Sequence, residues 1–178
     1  MEYQSFSPNT AFLGRSAALF GKVLPDNEMI RGLLIKNKIH QVQPDDWYPV
    51  QDGLNFLKDI SSNIGPNMLF AMGKATGESA LLPPEINDIP SAIQACNYAL
   101  SLSHKGEIGN IVLHDFNPEQ STAVIECHTP YPSEFERGFF IQFLRKFRNP
   151  GSSISVETDL SRESRTKGGD RCFYNISW

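Results

Sequence analysis

The chain has 178 residues, 40% of them hydrophobic, and a net charge of -4. That length suits one domain with a sizeable core. The mixed, mildly acidic charge gives no bulk attraction to nucleic acid or to an anionic membrane. No apolar run approaches the ~20 residues of a membrane span. The start, Met1-Glu2-Tyr3-Gln4, lacks the basic and apolar segments of a signal peptide. Three cysteines, Cys96, Cys127 and Cys172, point to a reducing compartment, not to a disulfide framework. The expectation is a cytoplasmic protein with no nucleic-acid partner.

Residues 1–25 carry the least signal. Residues 11–24 are apolar enough for a helix, although Gly14 and Gly21 weaken it. We read 1–25 as an arm packing on a second copy or as an ordinary first helix, and 26–178 as a single domain. Asp26 is placed to cap a helix over 27–38, with a short apolar strand as the alternative. Trp47, in a proline-flanked break, reads as a core plug. Val50, Leu54, Leu57, Ile60 and Ile64 recur at helical steps. Gly65 ends that helix, and Pro66 opens the next, over 66–79. Met68 and Met72 in it read as core filler. Residues 81–84 form an extended connector. A further helix begins at Asp88-Ile89-Pro90-Ser91 and ends at Gly106, with His104 in its last turn.

The period then changes from 3.6 to 2. Residues 110–114 and 121–127 read as an antiparallel pair of strands with a longer loop. Ser133 and Glu136 have capping-box spacing at the start of a helix over 133–148. Phe135, Phe139, Phe140, Phe143, Leu144 and Phe147 give it a broad apolar stripe. Asn149-Pro150-Gly151 stops it. Residues 153–158 and 172–178 are the last two strands, joined through a polar, solvated loop over 161–167. The fold class is therefore α/β in the α+β sense: an antiparallel sheet of about four strands packed against helices.

The stretch from Cys127 to Gly138 organises the site. Pro130 and Pro132 stiffen a strand-to-helix corner that presents His128 and Tyr131. There is no P-loop, no dinucleotide fingerprint, no nucleophile elbow and no acid–base pair, so the chain does not read as an enzyme. Cys127 and His128 are neighbours on a strand and face opposite ways, which disfavours a Cys–His nucleophile. Cys127 and Cys172 face each other as weak metal candidates, short of the four ligands that structural zinc needs.

The residues from Cys127 to Gly138, followed by Gly168-Gly169-Asp170-Arg171-Cys172-Phe173-Tyr174-Asn175-Ile176-Ser177-Trp178, resemble the C-terminal signature of bacterial 4-vinyl-reductase-like proteins. Asp46-Trp47-Tyr48-Pro49 and the segment from His104 to Gly109 are similar to parts of the same family. The resemblance implies the fold of haem-NO-binding domains and of TRAPP subunits, a small hydrophobic ligand, and often a homodimer. It also implies cysteines where Ser133 and Ser164 stand, so a zinc site would be degenerate. The haem-binding relatives carry Y-x-S-x-R for the propionates. Tyr131 and Ser133 fit it, but Phe135 occupies the arginine position.

The leading expectation is a non-enzymatic sensory or signalling domain. It would hold an apolar ligand, a tetrapyrrole or a lipid, between the Phe-rich helix and the sheet. Phe135, Phe139 and Phe143 would line the ligand. Tyr131, Ser133 and Arg137 would meet its polar end, with His104 or His128 assisting. A haem-based gas sensor and a ligand-free dimeric scaffold are the alternatives.

Overall fold

The computed structural model describes residues 2–80, 82–148 and 151–178. The chain opens with a three-residue strand, β1 (Ala11–Leu13), and a short helix, α1 (Gly14–Ala18). The single helix expected over 11–24 is thus divided, because β1 is captured between two other short strands. These are β2 (Trp47–Pro49) and β3 (His104–Lys105), which form a sheet in the order β2-β1-β3. Ahead of β1, residues 2–10 cross the protein's own strand-to-helix corner, with Tyr3 N–H donating to the Pro130 carbonyl at 3.1 Å.

Helix α2 (Glu28–Lys36) is capped by Asn27, one residue after the expected Asp26. The Asn27 side chain accepts from Ile30 N–H at 2.9 Å. Helices α3 (Val50–Asn63) and α4 (Pro66–Ser79) follow the sequence periodicity closely. Gly65 between them has φ +116°, a conformation open to glycine. The next helix is two: α5 (Ile89–Gln94), capped by Asp88, and α6 (Cys96–Ser103). It ends before His104, which is extended and pairs with Phe12 of β1.

A second sheet has four antiparallel strands in the order β4-β5-β7-β6. They are β4 (Asn110–Asn117), β5 (Thr122–His128), β6 (Ser155–Thr158) and β7 (Cys172–Ser177). Helix α7 (Ser133–Leu144) lies on its inner face and buries Phe140, Phe143 and Leu144 there. The proposed stop at 149–150 lies outside the described residues.

Two apolar clusters result. One joins the four-stranded sheet to α5, α6 and α7. The other gathers the N-terminal half around Phe12, Phe56, Leu57 and Met72, and includes Phe135 from α7. Helices α4 and α7 bring them together at very short range. A Cβ on Gly73 would overlap the Phe135 carbonyl, one on Gly77 the Phe139 carbonyl, and one on Gly138 the Phe70 carbonyl.

Candidate functional site

Between the two clusters lies a cavity of about 450 Å³, within the range of roughly 300–1,000 Å³ usual for small-molecule sites. Its walls come from both halves of the chain: Phe12 and Phe20 near the N-terminus, Leu57 of α3, Thr76 of α4, Leu100 of α6, and Phe135, Phe139 and Phe140 of α7. Apolar side chains dominate. Arg15, Ser79 and Leu102 line it as well, and their exposure places the mouth there.

His104 is the principal polar group of the wall. Its Nδ1 lies 3.0 Å from the Leu100 carbonyl, which can only accept, so Nδ1 carries the proton. Nε2 is left with a lone pair, and the Tyr131 hydroxyl donates to it at 2.6 Å. Burial pushes the His104 pKa down to about 4, with the Leu100 carbonyl acting weakly in the other direction. Burial, helped by Glu136, raises the Tyr131 pKa, so the phenol keeps its proton. The outcome is a neutral imidazole of fixed tautomer, held by β1 pairing on one side and by a backbone carbonyl on the other.

This has a consequence for acid stability. An unfolded histidine titrates near 6.5, so the unfolded chain binds the His104 proton first as pH falls. The contribution of His104 is full above about pH 6.5 and is lost as pH drops towards 4. We expect urea titrations to lose about 3 kcal/mol more in the wild type than in His104→Gln across that window. Equal slopes would contradict the buried, uncharged state of the His104 ring.

At the inner end sits a buried polar cluster that the sequence reading missed. Glu136 and Arg165 are 5% and 3% exposed and form a direct ion pair. Glu136 also accepts from Thr129, from Cys127 Sγ at 3.1 Å and from the Tyr174 hydroxyl at 2.6 Å. Arg165 donates to the Cys127 carbonyl at 3.0 Å. Burial opposes the Arg165 charge most strongly, but Glu136 together with Cys127, Tyr174 and Cys172 outweighs it and keeps the guanidinium protonated. The expected solvated loop over 161–167 is thus corrected at Arg165. Glu136 does not close a capping box either: Pro132 is the N-cap and makes no side-chain bond. Glu136 shares the buried face of α7 with Phe140 and points inward. A carboxylate four residues before Phe140 on an apolar stripe was the available signal.

The other expected site residues divide clearly. Tyr131, Phe135 and Phe139 line the cavity, and Tyr131 stacks on Phe135 at 5.4 Å. Phe143, one turn further on, is fully buried in the sheet-side cluster and stacks on Phe139 at 5.2 Å. Arg137 is turned about 200° around α7 from Phe135. It pairs with Glu134 at 2.8 Å and lies over the Phe70 ring. His128 is on the opposite strand face from Cys127, against Phe6 at 4.7 Å. Ser133 gives both its N–H and its hydroxyl to the Glu2 carboxylate, at 2.8 and 2.7 Å. Cys127 and Cys172 do pair in register across β5 and β7. No group of three or more potential metal ligands forms among the described residues.

No family model matches the chain, and no curated protein matches it. Solved structures do. An H-NOX protein from S. oneidensis in the Fe(II)NO ligation state superposes with a TM-score of 0.69 at 13% identity, covering 93% of this chain and 98% of that one. An Fe(II) unliganded H-NOX protein from K. algicida gives 0.64 at 13% identity, covering 93% and 95%. At that identity the likeness is one of fold. It agrees with the haem-NO-binding half of the sequence resemblance, while the 4-vinyl-reductase half rests on the motifs alone.

Proposed function

We propose that this chain is a non-catalytic sensory domain that holds a flat apolar ligand, a haem-type tetrapyrrole, in the cavity beside His104. The observation that carries the proposal is the His104 ring. A neutral imidazole, its Nδ1–H held by a backbone carbonyl, lines an apolar cavity and carries its lone pair on Nε2, where only the Tyr131 hydroxyl has to be displaced by a metal. Such a nitrogen would be able to hold a haem iron. The H-NOX-like fold supports the same reading. Bound haem would supply reversible binding of a diatomic gas. His104 would hold it, Tyr131 would release Nε2 and remain as a nearby hydroxyl, and Phe12, Phe135, Phe139 and Phe140 would exclude water. The arginine expected for the propionates is Phe135 here, so this end of the site differs from the pattern of the haem-binding relatives.

Titration of the purified protein with haemin tests this. A sharp Soret band is expected in the wild type. It should be lost in His104→Ala and restored by added imidazole, with the far-ultraviolet circular dichroism of the ligand-free variant like that of the wild type, so that loss of the band is not loss of the fold. A band indifferent to His104, or no uptake of haemin, would overturn the proposal. The homodimer and the reducing, cytoplasmic setting belong to the same proposal. The unpaired cysteines support the compartment. Among the described residues no helix is long and apolar enough to cross a membrane.

A further inference from the structure

We infer that Arg15, at the cavity mouth, receives the acidic end of the ligand, so that a carboxylate-bearing ligand enters with its acid groups directed outward and not towards the Tyr131–Ser133 corner. The inference rests on the ligand reading above and adds the orientation and the selecting residue.

The corner has no anion site to offer. Ser133 spends its N–H and its hydroxyl on Glu2 Oε1. The nearest arginine on α7, Arg137, is committed to Glu134 and to the Phe70 face. Phe135 closes the remaining space with an apolar ring stacked on Tyr131. The inner end is worse for an acid. Glu136 is itself a buried carboxylate, and its four hydrogen-bond partners already include Arg165, the one buried cation among the described residues. A second carboxylate there would be desolvated beside a like charge.

The mouth is different. Arg15 is the one cationic side chain among the described cavity-lining residues. Its side chain is 57% exposed, so an acid meeting it keeps part of its hydration. Its backbone is fixed: Arg15 N–H donates to the Pro44 carbonyl at 3.0 Å and Gly14 N–H to Asp46 at 2.8 Å. A Cβ on Gly14 would overlap the Gln43 carbonyl, so α1 sits tight on that loop. The present partner of Arg15 is Asp45, which is 83% exposed. The pair rests on a single contact, from one Arg15 terminal nitrogen to Asp45 Oδ1; an exposed pair of that kind is weak and exchangeable, and a ligand carboxylate could take both guanidinium N–H groups at once.

The test compares haemin with haemin dimethyl ester, which keeps the ring and removes the acids. Dissociation constants are measured for the wild type, Arg15→Met and Arg137→Met. Haemin affinity should fall about tenfold in Arg15→Met, one charge-assisted contact, with ester affinity unchanged and Arg137→Met like the wild type. Asp45→Asn, which frees Arg15, should tighten haemin and leave the ester alone. Equal weakening of acid and ester in Arg15→Met, or haemin loss in Arg137→Met instead, overturns the inference and leaves the ligand reading standing. Failure of the wild type to bind either form removes both.

Discussion

Replacing Arg165 by methionine is expected to cost about 3–5 kcal/mol, because it leaves Glu136 charged, buried and without its counter-ion. Against a total stability of about 5–15 kcal/mol for a domain of this kind, that is enough to unfold a large share of the molecules at moderate urea. The loss has two sources. The Coulomb attraction disappears, and the Cys127 carbonyl loses its donor. Adding Glu136→Gln to Arg165→Met should recover about half of the deficit, since the amide oxygen in the Oε1 place still accepts from Thr129, the amide NH2 in the Oε2 place can donate to the Tyr174 hydroxyl oxygen, and the buried charge is gone. Urea denaturation of the two single variants and the double variant forms a thermodynamic cycle. Strict additivity would mean that the two side chains do not interact, and the account of the inner cavity wall would fall with it.

Gly73→Val is the second large effect. The valine would have to pass through the Phe135 carbonyl, which belongs to the backbone of α7 and cannot rotate away. Relief requires the two helices to separate, which opens both apolar clusters at their junction and the cavity wall with them. A loss on the order of 3 kcal/mol or more follows. Gly21→Ala is the matched control, since nothing lies within 4 Å of a Cβ placed there. Thermal melts that found the two variants alike would rule out the close helix contact.

Local signals were legible where the chain decides its own structure. The α3–α4 pair followed from apolar spacing and from Gly65-Pro66 because both helix ends are written in adjacent residues. The four-stranded sheet followed from the change of period. The small sheet did not, because strands of two or three residues are too short to show alternation. The break at Ala95 was invisible for the opposite reason: an apolar helical pattern runs straight across it, and only packing divides α5 from α6. Within the site, Tyr131, Phe135, Phe139 and His104 came from the motif and the stripe. Arg165 was hidden in a loop of polar residues, and its partner Glu136 lies 29 positions earlier. Glu2 on Ser133 spans 131 positions. Burial of a charge depends on such distant pairings, and no local window contains them.

The contact between α4 and α7 makes the cavity unequally stiff. Where backbone rests on backbone there is no side chain left to compress, so the wall carrying Thr76, Phe135, Phe139 and Phe140 behaves as an anvil. The facing wall is made of a five-residue helix, an eight-residue helix and strands of two or three residues, and these yield more easily. Any guest that swells the cavity therefore does its mechanical work on α1, α6 and the β1–β3 pairing. His104 is seated in that pairing, so its ring is mounted on the wall that gives way and not on the one that resists.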